Sequence, residues 1–218
     1  MKRFLPCSII AALCVFCVLH ESVAQNAAEM PQVKVADSAA RRYTIKSAII
    51  TFENDADGQK SFVAMCFDDF GTREALETKL YIKQGSNYEQ AHTLEIHRGD
   101  TLYLLNLEYR VGIQMRNKNA KSDRPDFSAL TPKLMKSLGL IRNEPEEYLG
   151  KICDVYVMHN ERANIHGKYL VWNNIVLRSE INADGIISTT RAVSIRDNAA
   201  VPEKNFEVPL DIIPEEKD

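Results

Sequence analysis

The sequence predicts a mainly β protein, built on a single antiparallel sheet of about eleven strands with one or more short helices against its apolar inner face. Segments that alternate polar and apolar residues recur along the chain, turn-forming pairs separate them, and a single stretch carries helix punctuation. At 45% hydrophobic and 26% charged residues the composition is that of a globular protein. A net charge of -3 supplies no basic field for nucleic acid.

The chain opens on a segment that does not belong to the fold. Lys2 and Arg3 precede an apolar run from Phe4 to Leu19, and Ser22-Val23-Ala24 places small residues where a signal peptidase cuts. Residues 1–24 are therefore expected to be a cleaved signal peptide, which sends the protein to the periplasm, with secretion as the alternative. Because this run is shorter than a spanning helix needs and no second one follows, an integral membrane protein is not expected. A polar lead, 25–42, comes next, then one domain over 43–213 and an acidic tail, 214–218.

The strands of that domain can be taken in order. Tyr43, Ile45, Ser47, Ile49 and Thr51 fall on one face of the first, with Thr44 and Lys46 on the other. Later, Leu94 and Ile96 oppose Thr93, Glu95 and His97, while Val111, Ile113 and Met115 oppose Arg110, Gln114 and Arg116. Asp57-Gly58, Gly85-Ser86-Asn87, Gly99-Asp100, Asn173-Asn174 and Asp184-Gly185 supply the residues that tolerate positive φ in hairpin loops. The meander breaks once, at a polar loop from Asn117 to Asp126. Thr131 then suits an N-cap, Pro132 a first helical position and Gly139 a left-handed stop, so a short helix runs over Pro132–Leu138. Its Leu134, Met135 and Leu138 need an apolar surface to cover.

Several strings imitate known sites without their context. Asp69-Phe70-Gly71 spells a kinase metal triplet, but no phosphate loop or catalytic loop accompanies it, and it reads as the end of a strand. Glu53, Asp55, Asp57 and Gly58 resemble half a calcium loop, yet Ala64 stands where a bidentate Glu is required, so this is an acidic hairpin. Arg98-Gly99-Asp100 reads as a turn. His92 and His97 are five apart on one strand and point to opposite faces. His159 and His166 flank a polar loop with too few companions for zinc, and they read as exposed loop histidines. No metal, cofactor or catalytic residue is assigned. Cys66 on the second strand and Cys153 on the seventh are roughly 24 Å apart across an open meander, too far for a disulfide, so free buried thiols are expected.

The second half has a recognisable order. Gly150-Lys151-Ile152-Cys153-Asp154-Val155-Tyr156 leads to Val171-Trp172, then to Ile175-Val176-Leu177-Arg178-Ser179-Glu180 and Ala192-Val193-Ser194-Ile195. It closes on Val201-Pro202 and Phe206-Glu207-Val208-Pro209, and Asp69-Phe70-Gly71-x-Arg73-Glu74-Ala75 lies upstream. These stretches resemble the LolA-like periplasmic proteins, the outer-membrane lipoprotein-sorting type, including members of unknown function. The resemblance implies a strongly curved half-barrel around an apolar hollow, and members that carry acyl chains of lipoproteins.

The alternation nominates the residues of such a hollow: Ile45, Ile49, Tyr103, Leu105, Ile113, Met115, Val155, Val157, Tyr169, Val171 and Leu177 from the strands, with Leu134, Met135 and Leu138 from the helix. The expected function is a soluble, non-enzymatic carrier or chaperone, whose partner is a lipid or lipoprotein acyl chain. The alternative is an envelope module whose core is filled and whose partner is another envelope protein.

Overall fold

The computed structural model describes residues 41–84, 87–116, 126–161 and 163–217. The expected signal peptide, most of the polar lead, Gly85-Ser86 and nearly all of the polar loop from Asn117 lie outside the described residues.

The first run of strands is β1 (Ala48–Ala56), β2 (Gln59–Asp68), β3 (Arg73–Gln84), β4 (Asn87–Arg98), β5 (Thr101–Asn106) and β6 (Val111–Arg116). The helix α1 (Pro132–Leu138) separates it from β7 (Leu140–Tyr148), β8 (Lys151–Asn160), β9 (Ile165–Trp172), β10 (Ile175–Ala183) and β11 (Ile186–Asp197), and a short β12 (Glu215–Lys217) follows. These strands form one curled sheet in the order β12-β6-β5-β4-β3-β2-β1-β11-β10-β9-β8-β7. Each run is a meander, and the two meet where β1 pairs with β11, Ala48 facing Asp197. The sheet is unclosed: β7 forms one edge, and at the other β12 runs parallel to β6, whereas the neighbouring strands pair antiparallel.

Local chemistry sets the corners as expected. Asp57 and Gly58 have φ of 53° and 78°, and Asn173 and Asn174 have 50° and 66°, the positive values a two-residue hairpin with the sheet's twist demands. Thr131 Oγ1 accepts from the Leu134 N–H at 3.2 Å, which caps α1, and Gly139 ends it in the left-handed region. A Cβ on Gly139 would stand 2.2 Å from the His159 carbonyl oxygen, so no other residue fits this junction. The helix packs against β7 and β8, and Leu134, Met135 and Leu138 are half-buried.

Two readings are corrected. Tyr43 to Ser47 are not strand. Arg42 and Tyr43 donate to the Phe70 carbonyl at 2.9 and 3.0 Å while Phe70 donates back to Lys46, so this stretch wraps the β2–β3 connection and β1 starts at Ala48. Nor does Asp69-Phe70-Gly71 end a strand: it forms a one-turn 3-10 helix beyond β2, with all three φ positive.

The sheet buries both faces. Cross-strand partners share a face, so the register Ile50–Met65–Leu76 defines one side and Ile49–Cys66–Ala75–Ile96–Tyr103 the other. On the first side Ala48, Ile50, Phe52, Met65 and Phe67 join Val155, Leu170, Leu177 and Ala192 in the larger core. On the second, Cys66, Ala75, Ile96 and Leu105 form a smaller core closed by Phe206 and Ile212 from the C-terminal stretch. Cys66 and Cys153 are both free and buried, one in each core and five strand steps apart.

Candidate functional site

The chain after β11 crosses the second face as a strap. It leaves β11 where the Asn198 N–H donates to the Ser47 carbonyl and Ser47 Oγ donates to the Ala199 carbonyl, at 2.8 and 2.7 Å. A 3-10 turn at Glu203–Phe206 then drops the Phe206 ring into the smaller core, where it is fully buried. Arg98 Nε donates to the Phe206 carbonyl at 2.6 Å, and the Arg73 guanidinium lies 4.7 Å over the Phe206 ring while it grips Glu203. Arg73 also pairs with Asp68, its cross-strand partner; Asp68 first and Glu203 second push its pKa above the ordinary arginine value. Ile212 is the second buried anchor, and Arg110 meets Asp211 at 2.9 Å.

Between the anchors the strap stands off the sheet and leaves an open groove of about 370 Å³. Ile49, Ala64, Cys66, Ala75 and Leu94 make its floor, and Val208, Pro209 and Leu210 its roof. The floor is roomy because β2 and β3 place the small side chains of Ala64, Cys66 and Ala75 there. Glu77, Lys204 and Glu207 supply charge at the rim, and Glu77 is held by His92 at 2.7 Å. Burial raises the pKa of the Cys66 thiol, against a weaker opposing effect from the Asn205 side chain that donates to its sulfur. A hollow of this size, with an apolar floor and charge at its rim, falls within the size range of small-molecule sites.

The nominated hollow residues divide between the two faces. Ile49 lines the groove, and Tyr103 and Leu105 belong to the same core. Ile45, Val155 and Leu177 pack in the larger core on the other side. Ile113 and Met115 face Leu104 and Leu102, opposite the side of Tyr103 and Leu105. Tyr169 and Val171 are buried on β9, where Phe127 packs 5.9 Å from the Tyr169 ring and 5.0 Å from Tyr156. Val157 sits between Ile141 and Lys168, and Leu134, Met135 and Leu138 lie against β7 and β8. Sequence reasoning passed over Ala64, Ala75 and the strap, because small residues carry no hydrophobic signal. Phe206 between Val201-Pro202 and Val208-Pro209 was the trace available.

The histidines form no metal cluster: among the described residues no group of three or more ligating side chains occurs. His92 and His97 take opposite faces as expected, on Glu77 and Glu95. His159 and His166 are corrected from loop to strand. They stand directly opposite on β8 and β9, Nδ1 to Nδ1 at 2.7 Å.

The solved structures similar to this chain include an uncharacterised conserved protein from Thermus thermophilus, with a TM-score of 0.53 at 8% identity over 82% of this chain and 95% of that one. That likeness is one of fold. MucB in the Pseudomonas aeruginosa MucA/MucB complex follows with a TM-score of 0.46 at 11% identity over 79% of this chain, which spans 59% of MucB. A domain assigned to outer membrane lipoprotein sorting, from Vibrio parahaemolyticus, gives 0.36 at 9% over 88% of this chain and 95% of that one. The curled, unclosed sheet is the architecture that the LolA-like resemblance implies. No family model and no curated protein sequence matches the chain. Among the described residues no helix is long and apolar enough to cross a membrane.

Proposed function

We propose that this chain is a non-enzymatic carrier or chaperone of the bacterial envelope, which binds the acyl chain of a lipid or an acylated protein by reversible burial of apolar surface. The groove beneath the strap carries this reading: its floor is apolar, with small side chains at Ala64, Cys66 and Ala75, and one side is open to solvent. Transfer of methylenes from water to such a surface is favourable by about 0.8 kcal/mol each. The Lys2-Arg3 start, the apolar run to Leu19 and Ser22-Val23-Ala24 support export to the periplasm. The order of stretches from Gly150 to Pro209, in which the chain resembles the LolA-like proteins, supports the choice of cargo.

One observation favours the second reading, a module that binds an envelope protein with its core filled. Phe206 already occupies the centre of the second face. Two measurements on the mature protein separate the readings: mass spectrometry of lipid that co-purifies, and titration with a fluorescent fatty acid. The carrier reading expects saturable uptake that Ala64→Trp weakens at least about tenfold, with little loss of stability because Ala64 is exposed. A protein free of lipid that takes up no probe would leave the interaction module.

A further inference from the structure

The outer surface of the strap carries the most exposed large apolar side chains among the described residues. Leu210 forms part of the groove wall and is also 102% exposed, and Ile213, three residues on, is 89% exposed. Arg110 and Asp211 tie the β5–β6 turn to this stretch, and that turn carries Tyr109, 61% exposed. A contiguous exposed apolar patch marks a contact surface. Tyrosine is a residue that settles at the boundary between lipid and water.

We infer that Tyr109, Leu210 and Ile213 form the surface through which the protein touches a lipid bilayer while an acyl chain enters or leaves the groove. The inference rests on the carrier reading. Its occupant follows from continuity: Leu210 belongs to both the groove wall and the exposed patch, so a bilayer seated there would deliver a chain to the groove mouth without carrying it through water. The charge present argues for apolar contact. Arg110 and Asp211 neutralise each other, at the rim Lys204 is accompanied by Glu207, and the exposed Glu108 before Tyr109 and the acidic tail after Ile213 add no excess of positive charge, so these groups would not draw anionic headgroups. Contact of this kind should survive high salt, whereas attraction to anionic headgroups would be screened.

The test uses phosphatidylcholine vesicles with a fluorescent acyl lipid, and the mature wild type, Tyr109→Glu, Ile213→Glu and Ile187→Glu. Ile187 is 52% exposed on β11, at the far hairpin, and serves as control. Vesicle co-sedimentation and the rate of acyl transfer should fall at least about tenfold in Tyr109→Glu and Ile213→Glu, with no change in Ile187→Glu. Their affinity for a free fatty acid in solution should equal that of the wild type, since neither side chain lines the groove. Transfer at the wild-type rate in both variants would overturn the inference and leave the carrier reading standing, as would binding abolished by salt. A wild type that takes chains only from a protein donor, or whose self-association Ile213→Glu abolishes, would also overturn it. Vesicle binding through the patch without fatty-acid uptake would uphold the surface and overturn the carrier reading.

Discussion

Phe206 is the side chain on which the strap's position depends, and Phe206→Ala tests that directly. The ring is fully buried among Cys66, Ala75, Ile96, Leu105 and Ile212, beneath the Arg73 guanidinium. Removing a buried phenylalanine ring costs about 3–5 kcal/mol in transfer and cavity terms. Loss of the arginine stacked on it adds about 0.5–1 kcal/mol. For a chain of this size each kcal/mol shifts the melting temperature by about 2–4 °C, so a fall of roughly 7–24 °C is expected. The strap can also lift instead of leaving a void, which exposes Ile96 and Leu105 and opens the groove. Thermal melting should then be read beside fatty-acid titration: the variant should melt lower and load its probe faster. A fall below about 2 °C would show that the ring is not packed on the sheet in solution and that the strap does not roof the groove.

Burial holds the Tyr169 hydroxyl up to about 12, against 10.0 for an ordinary tyrosine. A raised pKa in the folded state means stability present below pH 10 and lost as pH rises toward 12, so melting should drop over that window and Tyr169→Phe should flatten part of the drop. Phenolate absorbance along the same titration reports the group itself, and an ordinary pKa there would refute its burial. Cys66 and Cys153 should both alkylate in the denatured, unreduced mature protein and both resist in the native one, because burial raises their pKa values; one oxidised species would overturn the strand order. Leu134→Ala and Leu138→Ala should cost less than the roughly 2–5 kcal/mol of a fully buried leucine, since both are half-buried. They should leave probe binding unchanged, because α1 sits at β7 and β8 while the groove lies over β1 to β4; altered binding would place the ligand beneath the helix.

The turns and the helix were legible because their chemistry is local. A positive φ at Asp57-Gly58 or at Asn173-Asn174, and a capping hydroxyl at Thr131, leave their mark within a few residues. Face assignment was harder, since alternation fails wherever a bulge adds a residue. The irregularities at Thr51/Phe52, Asn143/Glu146 and Val176/Arg178 each shift the register. Tyr169 and Val171 take the other face from Leu177 because the β9–β10 hairpin pairs Trp172 with Ile175 and Val171 with Val176, which puts Leu170 and Trp172 on the side of Leu177. The first strand misled for another reason. Ile49 and Ile50 are both apolar because the sheet is covered on both sides there, so no single face can be chosen from the pattern. The strap needed knowledge of long-range contact that spacing does not hold.

Arg73 and Glu74 show how one strand serves both sides. As neighbours on β3 they point to opposite faces. Glu74 is fully buried, accepts from the Tyr43 hydroxyl at 2.6 Å and stands 3.7 Å from Arg42, so it fastens the stretch before β1 over the larger core. Arg73 fastens the strap over the smaller one. The two fastenings are unequal. Breaking the buried Glu74 contacts would strand a charge without water, at a cost of about 3–5 kcal/mol. Glu203 is exposed, and an exposed ion pair holds with only about 0–1 kcal/mol. One cover is therefore held by a buried charge, and the other by the Phe206 and Ile212 side chains and the Arg98 hydrogen bond to the Phe206 carbonyl. The groove lies under the second cover.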